Sequence, residues 1–290
     1  MSHLPLLPFK CSAVISDVDG TLVTEDKVLT ARAQAAVAEL RANGTIFSIV
    51  SSRPPRGLRM LLKPLGITAP IGGFNGGVIA TSDFTVITQH LLSPQVARRA
   101  VETLNARAIE VWIFSGQDWL VHDPDGPYVP LEQRTVGFRP TIVDDFGTAL
   151  DVTAKIVGVS QDFALLARCE RDVRATLADA AFVARSQPYY LDITHPLANK
   201  GVALSEITKL LGVPLAEVAT IGDGGNDVAM FERSGLSIAM GNASPQVQRA
   251  ADFVTESNRD DGFARAIERF ILGGSRSSPR VEAVRAGKRA

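Results

Sequence analysis

The sequence predicts an α/β protein in which a Rossmann-like core, built on a parallel sheet, carries an inserted α+β domain. Short apolar runs alternate with helical segments near both ends of the chain, which is typical of βαβ units and a parallel sheet. Between the two ends, strand-like runs occur in pairs, which favours a different arrangement there. The length of 290 residues is enough for two domains of moderate size.

The residues before position 66 predict two βα units. Apolar runs that are rich in β-branched residues and bounded by turn residues indicate buried strands. Thr30 is a suitable N-cap for the first helix, and Asn43-Gly44 is a suitable end for it. The predicted elements are a strand over 12–17, a helix over 31–42, a strand over 45–50 and a helix that runs through 58 to 65.

The same alternation returns after residue 199. Apolar runs again lie between segments with helical periodicity. Together with the first two units, these elements form the two halves of a discontinuous domain. They are a helix over 200–211, a strand over 218–221, a helix over 227–233, a strand over 236–240, a short strand at Phe253 and a helix over 263–271.

The middle of the chain is predicted to be a separate domain. Its strand-like runs cover 110–114, 119–122, 155–159 and 182–185, and its helical segments cover 96–104 and 164–177. The predicted organisation is a discontinuous core of 1–82 and 187–273, an inserted domain of 83–186, and a disordered basic tail of 274–290.

The charge of the chain restricts its partners. It has 30 Lys and Arg residues against 31 Asp and Glu residues, a net charge of −1. This balance argues against a protein that coats nucleic acid or an anionic membrane. Residues 275–290 are locally basic, with five basic residues and one acidic residue, and we expect a disordered tail there rather than a nucleic-acid-binding arm.

The cysteines and the apolar runs predict a cytoplasmic protein. Cys11 and Cys169 are too few for a disulfide framework and fit a reducing compartment. The first ten residues lack a basic start and contain prolines, which argues against a signal peptide. No apolar run reaches the ~18 residues that a membrane-spanning helix needs.

Two acidic residues end the first predicted strand. Asp17 and Asp19 are two residues apart on an extended chain, so their side chains point the same way, and Gly20 allows a sharp turn after them. One carboxylate can bind a hard cation or act as a nucleophile while the other transfers a proton. An ordinary Asp-rich turn has the same pattern, so this segment alone leaves both interpretations open.

Two further segments carry polar residues at the start of a helix. Ser51-Ser52-Arg53 follows the second strand, where hydroxyl and N–H groups ahead of a helix can bind an anion. A routine N-cap explains the serines equally well. Lys200 begins a helix, where its charge opposes the helix dipole. Neither segment identifies a site by itself.

The segment Gly222-Asp223-Gly224-Gly225-Asn226-Asp227 lies between a strand and a helix. Two carboxylates four residues apart, with three glycines around them, predict a backbone bent around a metal and a phosphate. In doubly wound sheets, ligands bind at the carboxyl ends of the strands. We therefore expect all four segments to converge on one site.

In this order and spacing, the four segments resemble the motifs of the haloacid dehalogenase-like (HAD) phosphohydrolase superfamily. The Asn-Asp ending of the fourth motif and the large insert before Lys200 are most similar to the Cof-type phosphatases. Gly73-Phe74-Asn75-Gly76-Gly77 resembles the Asn-Gly segment that precedes the cap domain in that subfamily. The resemblance covers residues 12–272, and the four matching segments are 17–21, Ser51, Lys200 and 222–227.

The resemblance implies a Mg²⁺-dependent phosphomonoester hydrolase that acts on a small phosphorylated metabolite through an aspartyl-phosphate. Asp17 would be the nucleophile, and Asp19 would act as general acid and then as general base. Mg²⁺ would be bound by Asp17, the main-chain carbonyl of Asp19, and Asp223, with Asp227 in or next to its coordination sphere. The phosphoryl oxygens would be bound by Ser51, the N–H of Ser52, Arg53 of the same segment, Lys200 and Asn226.

Elementary electrostatics agrees with these roles. A carboxylate ~4 Å from a phosphate dianion is repelled by several kcal/mol at an effective dielectric constant of ~20. Mg²⁺ and Lys200 would supply three positive charges against this repulsion and against the charge of a loose transition state. Carboxylate, carbonyl and water ligands suit Mg²⁺, whereas Zn²⁺ favours His and Cys.

Several features depart from the family pattern or lie outside it. The usual second motif is Thr-Gly-Arg, so Ser51 keeps the hydroxyl, but the side chain of Ser52 narrows the space beside it.

His122 and His195 lack a nucleophile motif and are interpreted as loop or cap-lining residues. We expect an aromatic core of the insert, formed by Trp112, Phe114, Trp119 and Tyr128.

Alternative functions are consistent with the same fold. A phosphomutase, or a phosphatase dedicated to one sugar phosphate, would share these motifs. A catalytically silent binding module would be expected to lack Asp17, Asp19 or Asp223, and all three are present. A phospho-acceptor signalling domain is much shorter and has no large insert. The sequence leaves the substrate and the oligomeric state open.

Overall fold

The structure, a computed structural model, describes residues 9–273. The predicted tail, 274–290, and most of the N-terminal segment interpreted above lie outside the described residues. The strands, in chain order, are β1 Ala13–Ser16, β2 Ile46–Ile49, β3 Ile71–Gly73, β4 Val78–Ala80, β5 Val86–Gln89, β6 Glu110–Ser115, β7 Asp118–Val121, β8 Thr141–Ile142, β9 Thr153–Val159, β10 Phe182–Gln187, β11 Tyr190–Thr194, β12 Val218–Gly222, β13 Leu236–Ala239 and β14 Phe253–Val254.

Seven of the nine α-helices within residues 9–273 coincide with predicted helical segments, whereas those over Val129–Val136 and Pro245–Ala250 were not predicted. For example, α1 starts after Thr30, whose Oγ1 accepts a hydrogen bond from the N–H of Ala33 at 3.1 Å, and it ends at Asn43. The α-helices are α1 Ala31–Ala42, α2 Arg59–Leu65, α3 Pro94–Asn105, α4 Val129–Val136, α5 Phe163–Leu177, α6 Lys200–Leu211, α7 Val228–Phe231, α8 Pro245–Ala250 and α9 Gly262–Ala266, the last continued by a π-helical segment, Ile267–Leu272.

Internal contacts divide the chain into two compact units. Within the described residues, the first unit contains 9–50, Leu61–Pro70 and 200–273. The second unit contains Ser51–Met60 and Ile71–Asn199.

The first unit is built on a parallel sheet with strand order β14-β13-β12-β1-β2. Strand β1 lies between β12 and β2 and is wholly buried, and its Ser16 lies opposite Ile221 of β12 and Ile49 of β2. Because the strands are parallel and in register, β1 and β12 end at the same edge, directly before Asp17 and Asp223. The predicted α/β class with a parallel-sheet core is confirmed.

The second unit contains a sheet with strand order β10-β11-β9-β6-β7-β8, in which all pairs are antiparallel except β7 with β8. Helices α3 and α5 pack on one of its faces through an apolar cluster. The other face carries a second cluster that includes Trp112, Phe114 and Trp119, with Tyr128 partly buried beside it. A smaller antiparallel sheet has the order β3-β4-β5.

This division differs from the predicted domain boundaries after residues 82 and 186. Strand β11 lies beyond residue 186, yet it pairs with β9 and β10 in the sheet of the second unit. Residues 51–60 and 71–82 also belong to the second unit. Strand pairing over long sequence separations determines these contacts, and the composition of the chain does not reveal it. A domain assignment of 1–82 with 187–273 and of 83–186 stays a prediction.

None of the helices within residues 9–273 combines the length and the apolar character that crossing a membrane requires.

Candidate active site

Three of the predicted acidic residues meet at the carboxyl edge of the parallel sheet. Asp17, Asp223 and Asp227 each offer a carboxylate oxygen, and these oxygens lie within 4.8 Å of one another. The N–H of Asp17 donates to the carbonyl of Ile221 at 2.9 Å, which extends the pairing of β1 with β12 by one residue. Asp17 is 5% exposed and Asp227 is fully buried. The three side chains form one buried acidic cluster, the Asp17 cluster.

Lys200 inserts its ammonium group into the Asp17 cluster. The Nζ atom lies 2.5 Å from Oδ1 of Asp17 and 2.6 Å from Oδ1 of Asp227. The side chain is 1% exposed. Two buried ion pairs therefore explain why a lysine occupies the N-terminus of α6, where the helix dipole disfavours it.

Asp227 also holds the loop that carries Asp223. Its Oδ2 accepts hydrogen bonds from the N–H groups of Asp223, at 2.9 Å, and of Gly224, at 2.8 Å. A Cβ on Gly222, the last residue of β12, would lie 2.6 Å from the Cβ of Asp227. Only glycine therefore fits at the point where β12 packs against the Asp227 side chain. Asp227 therefore fixes the conformation of the loop that carries Asp223.

Both oxygens of Asp223 have neutral donors. Thr21 Oγ1 donates to Oδ1 at 2.9 Å, and Asn242 Nδ2 donates to Oδ2 at 3.2 Å. Asn242 also donates to the carbonyl of Gly20 at 2.9 Å. Gly20 has a φ of 83°, and any Cβ on it would collide with the carboxylate of Asp223. The carboxylate of Asp223 therefore packs directly against the main chain of the turn at Gly20.

Sequence reasoning missed two of these contacts. Thr21 stood within the first acidic segment but received no role. Asn242 lies three residues after the end of β13, so the rule that ligands bind beyond strand ends was a signal that could have found it.

Asp19 is not one of the three residues of the Asp17 cluster, and its side chain forms an ion pair with Lys27. Its Oδ1 lies 2.7 Å from Nζ of Lys27, and this ion pair is partly exposed. The prediction uses only the main-chain carbonyl of Asp19 as a metal ligand, so the position of the carboxylate does not conflict with it. Lys27 is a further residue that the sequence did not indicate.

Burial and the neighbouring charges both shift the pKa values of the cluster. Burial raises the pKa of Asp17 well above its ordinary value; Lys200 opposes this shift, and the neighbouring carboxylates add to it. Burial also raises the pKa of Asp223, and Asp227 adds to the shift. Burial lowers the pKa of Lys200, but Asp17 and Asp227 outweigh it, so the net shift is upward.

The cluster is suited to a divalent cation. Three carboxylates and one ammonium group leave a net charge of −2 when all are ionised. The donor atoms are oxygens, which hard cations such as Mg²⁺ prefer. A divalent cation would neutralise the cluster.

The predicted anion-binding segment belongs to the second unit. Ser51 is fully buried, Arg53 is 3% exposed, and Ser52 is half-buried. The N–H of Arg53 donates to Oγ of Ser51 at 3.2 Å. The N–H of Ser51 donates to the carbonyl of Gly72 at 2.9 Å. The segment is therefore an ordered, buried turn that directly follows the second strand of the parallel sheet.

The remaining polar candidates lie outside the cluster. Asn226 is exposed in the short turn Gly225–Asp227. His122 bonds through Nδ1 to the carbonyl of Val143 at 2.8 Å. Nδ1 of His195 accepts from the N–H of Leu197 at 3.1 Å. Burial, with His90 stacked beside it, lowers the pKa of His195. These local contacts agree with the interpretation of both histidines as loop residues.

The family of the chain follows from a match over most of its length. Residues 14–267 match the family model described as haloacid dehalogenase-like hydrolase. The chain is a haloacid dehalogenase-like hydrolase.

Named relatives of this hydrolase are phosphatases. It is 29% identical over 233 residues to the HMP-PP phosphatase of Cronobacter sakazakii. The matched region covers 80% of this chain and 84% of that protein. It is 28% identical over 265 residues to a 5-amino-6-(5-phospho-D-ribitylamino)uracil phosphatase of Bacillus subtilis, with coverage of 88% and 96%.

A solved structure has the same fold along nearly the whole hydrolase. The crystal structure of a haloacid dehalogenase-like hydrolase from Bacteroides thetaiotaomicron superposes with a TM-score of 0.83 at 29% identity and covers 90% of this chain and 99% of that one. The predicted membership of the superfamily and of its Cof-type subfamily is confirmed. The predicted activity class, a phosphatase that hydrolyses phosphoric monoesters, is confirmed as well.

Proposed function

We propose that this hydrolase is a Mg²⁺-dependent phosphatase that cleaves a small phosphorylated metabolite through an aspartyl-phosphate on Asp17. The observation that carries the proposal is the position of Lys200, whose buried ammonium lies between Asp17 and Asp227 beside Asp223. The names of the relatives, which act on small phosphorylated compounds, support the substrate class. Nucleic acid and membranes are not part of the proposal, and a cytoplasmic location stays a prediction.

Asp17 and Asp223, with the main-chain carbonyl of Asp19, would hold the Mg²⁺, and Asp227 would lie in or next to its coordination sphere. The oxygen donors and the negative charge of the Asp17 cluster support this assignment. Bound Mg²⁺ would neutralise the charge of the phosphate and of the carboxylate that approaches it.

Asp17 would act as the nucleophile. One of its carboxylate oxygens forms a bond to phosphorus while the bond between phosphorus and the leaving oxygen breaks. Lys200 fixes the orientation of the carboxylate and favours its ionised form against the effect of burial. Asp19 donates a proton to the leaving oxygen in this step.

The second step would release phosphate. Asp19, now ionised, takes a proton from a water molecule, and the resulting hydroxide attacks phosphorus. The bond between phosphorus and Asp17 breaks, and the carboxylate is regenerated. The ion pair of Asp19 with Lys27 is partly exposed, which is compatible with a movement of the Asp19 carboxylate during these steps.

The phosphoryl oxygens would be bound by hydroxyl, amide and cationic groups. The proposal assigns this role to Ser51, the N–H of Ser52, Arg53, Lys200 and Asn226. The burial of Ser51 and Arg53 in an ordered turn supports it, since a preorganised donor costs little reorganisation when an anion binds.

A panel of phosphorylated metabolites tests the proposed function. The purified protein is incubated with each compound in Mg²⁺ and in EDTA, and the released inorganic phosphate is measured. We expect hydrolysis of one or a few compounds with Mg²⁺, its loss in EDTA and its recovery when Mg²⁺ is restored. Undiminished hydrolysis in EDTA would contradict the metal assignment, and release from none of a broad panel would contradict the substrate class.

A further inference from the structure

We propose that Phe74 is a positioning residue for the phosphoryl-binding turn: its ring, buried in the aromatic cluster of the second unit, fixes the main chain that holds Ser51. The proposal rests on the proposed function, in which Ser51 binds the phosphoryl group. All of the contacts that support it lie within the second unit.

Three main-chain hydrogen bonds join residues 51–53, the Ser51 turn, to residues 72–75, the Phe74 segment. The N–H of Ser51 donates to the carbonyl of Gly72 at 2.9 Å, and the N–H of Asn75 donates to the carbonyl of Ser51 at 2.8 Å. The N–H of Phe74 donates to the carbonyl of Arg53 at 2.9 Å. Ser51 is thus held through both its N–H and its C=O, and its position follows that of the Phe74 segment.

Gly73 of the Phe74 segment lies directly against Pro55, two residues after the Ser51 turn, and no side chain fits between them. A Cβ on Gly73 would lie 2.7 Å from the backbone nitrogen of Pro55, which is closer than carbon and nitrogen atoms pack. The turn and the Phe74 segment therefore have little freedom to move independently.

The Phe74 segment has an unfavourable backbone conformation. Phe74 has a φ of 52° and Asn75 a φ of 57°, both in the left-handed region. Asparagine tolerates this region, but a bulky residue such as phenylalanine rarely occupies it. Such strain persists only where surrounding interactions hold it, and it concentrates at functional sites.

The ring of Phe74 supplies those interactions. The residue is 1% exposed, and its ring centroid lies 5.5 Å from that of Phe114 on β6, at an interplanar angle of 60°. Phe114 in turn stacks on Trp119 of β7, at 6.0 Å and 9°. Aromatic pairs in this range attract one another beyond the area that they bury. Two strands of the six-stranded sheet therefore anchor the Phe74 segment.

Removal of the Phe74 ring should displace Ser51 without changing the Ser51 side chain itself. The anchoring contacts disappear, the strained backbone relaxes, and the three hydrogen bonds transmit the shift to the Ser51 turn. A displacement of about 1 Å in a group that positions a substrate can cost ~10²-fold in rate. The effect should act through the Ser51 turn, which carries Ser51 together with the other proposed phosphoryl-binding groups of residues 52 and 53.

A double-mutant cycle tests this coupling. We would measure kcat/KM for p-nitrophenyl phosphate in Mg²⁺, and the melting temperature, for Phe74→Ala, Ser51→Ala and the double variant. Phe74→Ala should lower kcat/KM by ~10–10²-fold, and the loss in the double variant should be smaller than the product of the two single losses. Phe74→Leu, which keeps an apolar side chain, should fall between the wild type and Phe74→Ala, and it replaces Phe74→Ala in the cycle if that variant does not fold.

Phe146→Ala is the matched control. Phe146 is also a buried aromatic residue of the second unit, but it belongs to the apolar cluster on the other face of the six-stranded sheet. It should lower the melting temperature as Phe74→Ala does and leave kcat/KM unchanged.

The outcomes separate this proposal from the function on which it rests. Additive losses in the cycle, or an equal loss of kcat/KM in Phe146→Ala, would show that Phe74 only stabilises the fold and would overturn the proposal. An unchanged kcat/KM in Ser51→Ala would overturn the phosphoryl-binding role of Ser51 itself, and the positioning role with it.

Discussion

The ammonium of Lys200 lies 2.5 Å from Oδ1 of Asp17, although the two residues are 183 positions apart in the sequence. Both groups are nearly inaccessible to solvent. Burying two charges is costly, and their attraction offsets the cost only while both partners are present. The pair therefore joins the two halves of the first unit and sets the charge at the site.

Removal of the lysine charge should destabilise the metal-free protein. Lys200→Met keeps much of the side-chain volume but leaves Asp17 and Asp227 without their cation, and breaking a buried pair in this way costs about 3–5 kcal/mol. Urea unfolding in EDTA measures the change in the free energy of unfolding. Mg²⁺ should recover part of it, because a divalent cation compensates the same carboxylates.

Lys209→Met is the control for this prediction. Lys209 lies on the same helix but is exposed, so its replacement should change the free energy of unfolding by no more than about 0.5 kcal/mol. Equal effects of the two substitutions would contradict the structural role of the Lys200 ion pairs.

The stability of the metal-free protein should depend on pH through Asp17 and Asp223. Burial raises the pKa of each carboxyl above the ordinary value of 3.8. The folded state then binds protons that the unfolded state has released, so the contribution to stability is complete below about pH 3.8 and is lost as pH rises through the raised folded-state pKa.

Denaturant unfolding in EDTA between pH 4 and pH 8 checks this dependence. Asp17→Asn removes one titrating group, so the variant should lose less stability than the wild type as pH rises. Saturating Mg²⁺ should flatten the wild-type curve, since a cation favours the ionised carboxylates at every pH. Parallel curves for wild type and variant in EDTA would show that Asp17 does not titrate as its burial requires.

Asn242 should contribute to metal affinity without contacting the substrate. Asn242→Ala removes the hydrogen bonds to Oδ2 of Asp223 and to the carbonyl of Gly20. Loss of a partner that orients a metal ligand typically costs 10–100-fold in metal affinity or activity. We expect the Mg²⁺ concentration for half-maximal activity to rise by ~10-fold or more, with kcat at saturating Mg²⁺ changed far less. An unchanged Mg²⁺ dependence would show that Thr21 alone suffices to orient Asp223.

The sequence predicted best what depends on local signals. Helix α1 begins and ends where Thr30 and Asn43 predicted, because capping and periodicity involve residues close in the chain. The convergence of Asp17, Asp223 and Lys200 was predictable as well, since all three lie at termini of βα units, and parallel strands bring such termini to one edge.

Contacts that depend on the path of a loop were not predictable. Lys27, which pairs with Asp19, has a left-handed backbone with a φ of 63°, and the sequence of that turn does not indicate this conformation. Strand β11 belongs to the sheet of the second unit because it pairs with β9, about 35 residues earlier in the sequence. Pairing at that separation leaves no signature in composition or periodicity.

The central claim, an aspartyl-phosphate on Asp17 with Asp19 as acid and base, separates two carboxylates that the sequence makes look alike. A nitrophenol leaving group scarcely needs a proton, whereas an alkoxide does. Asp19→Asn should therefore keep much of the first step on p-nitrophenyl phosphate and lose ~10²–10⁴-fold on an alkyl phosphate. The second step lacks its base in either case, so the phosphoenzyme should accumulate.

The most direct measurement is a rapid-quench experiment on Asp19→Asn with p-nitrophenyl phosphate, followed by mass spectrometry of the quenched protein. The account predicts a burst of nitrophenol that matches the enzyme concentration and a phosphoryl adduct on Asp17, with neither in Asp17→Asn. A phosphoryl group on another residue, or no adduct together with equal losses on aryl and alkyl phosphates, would contradict it.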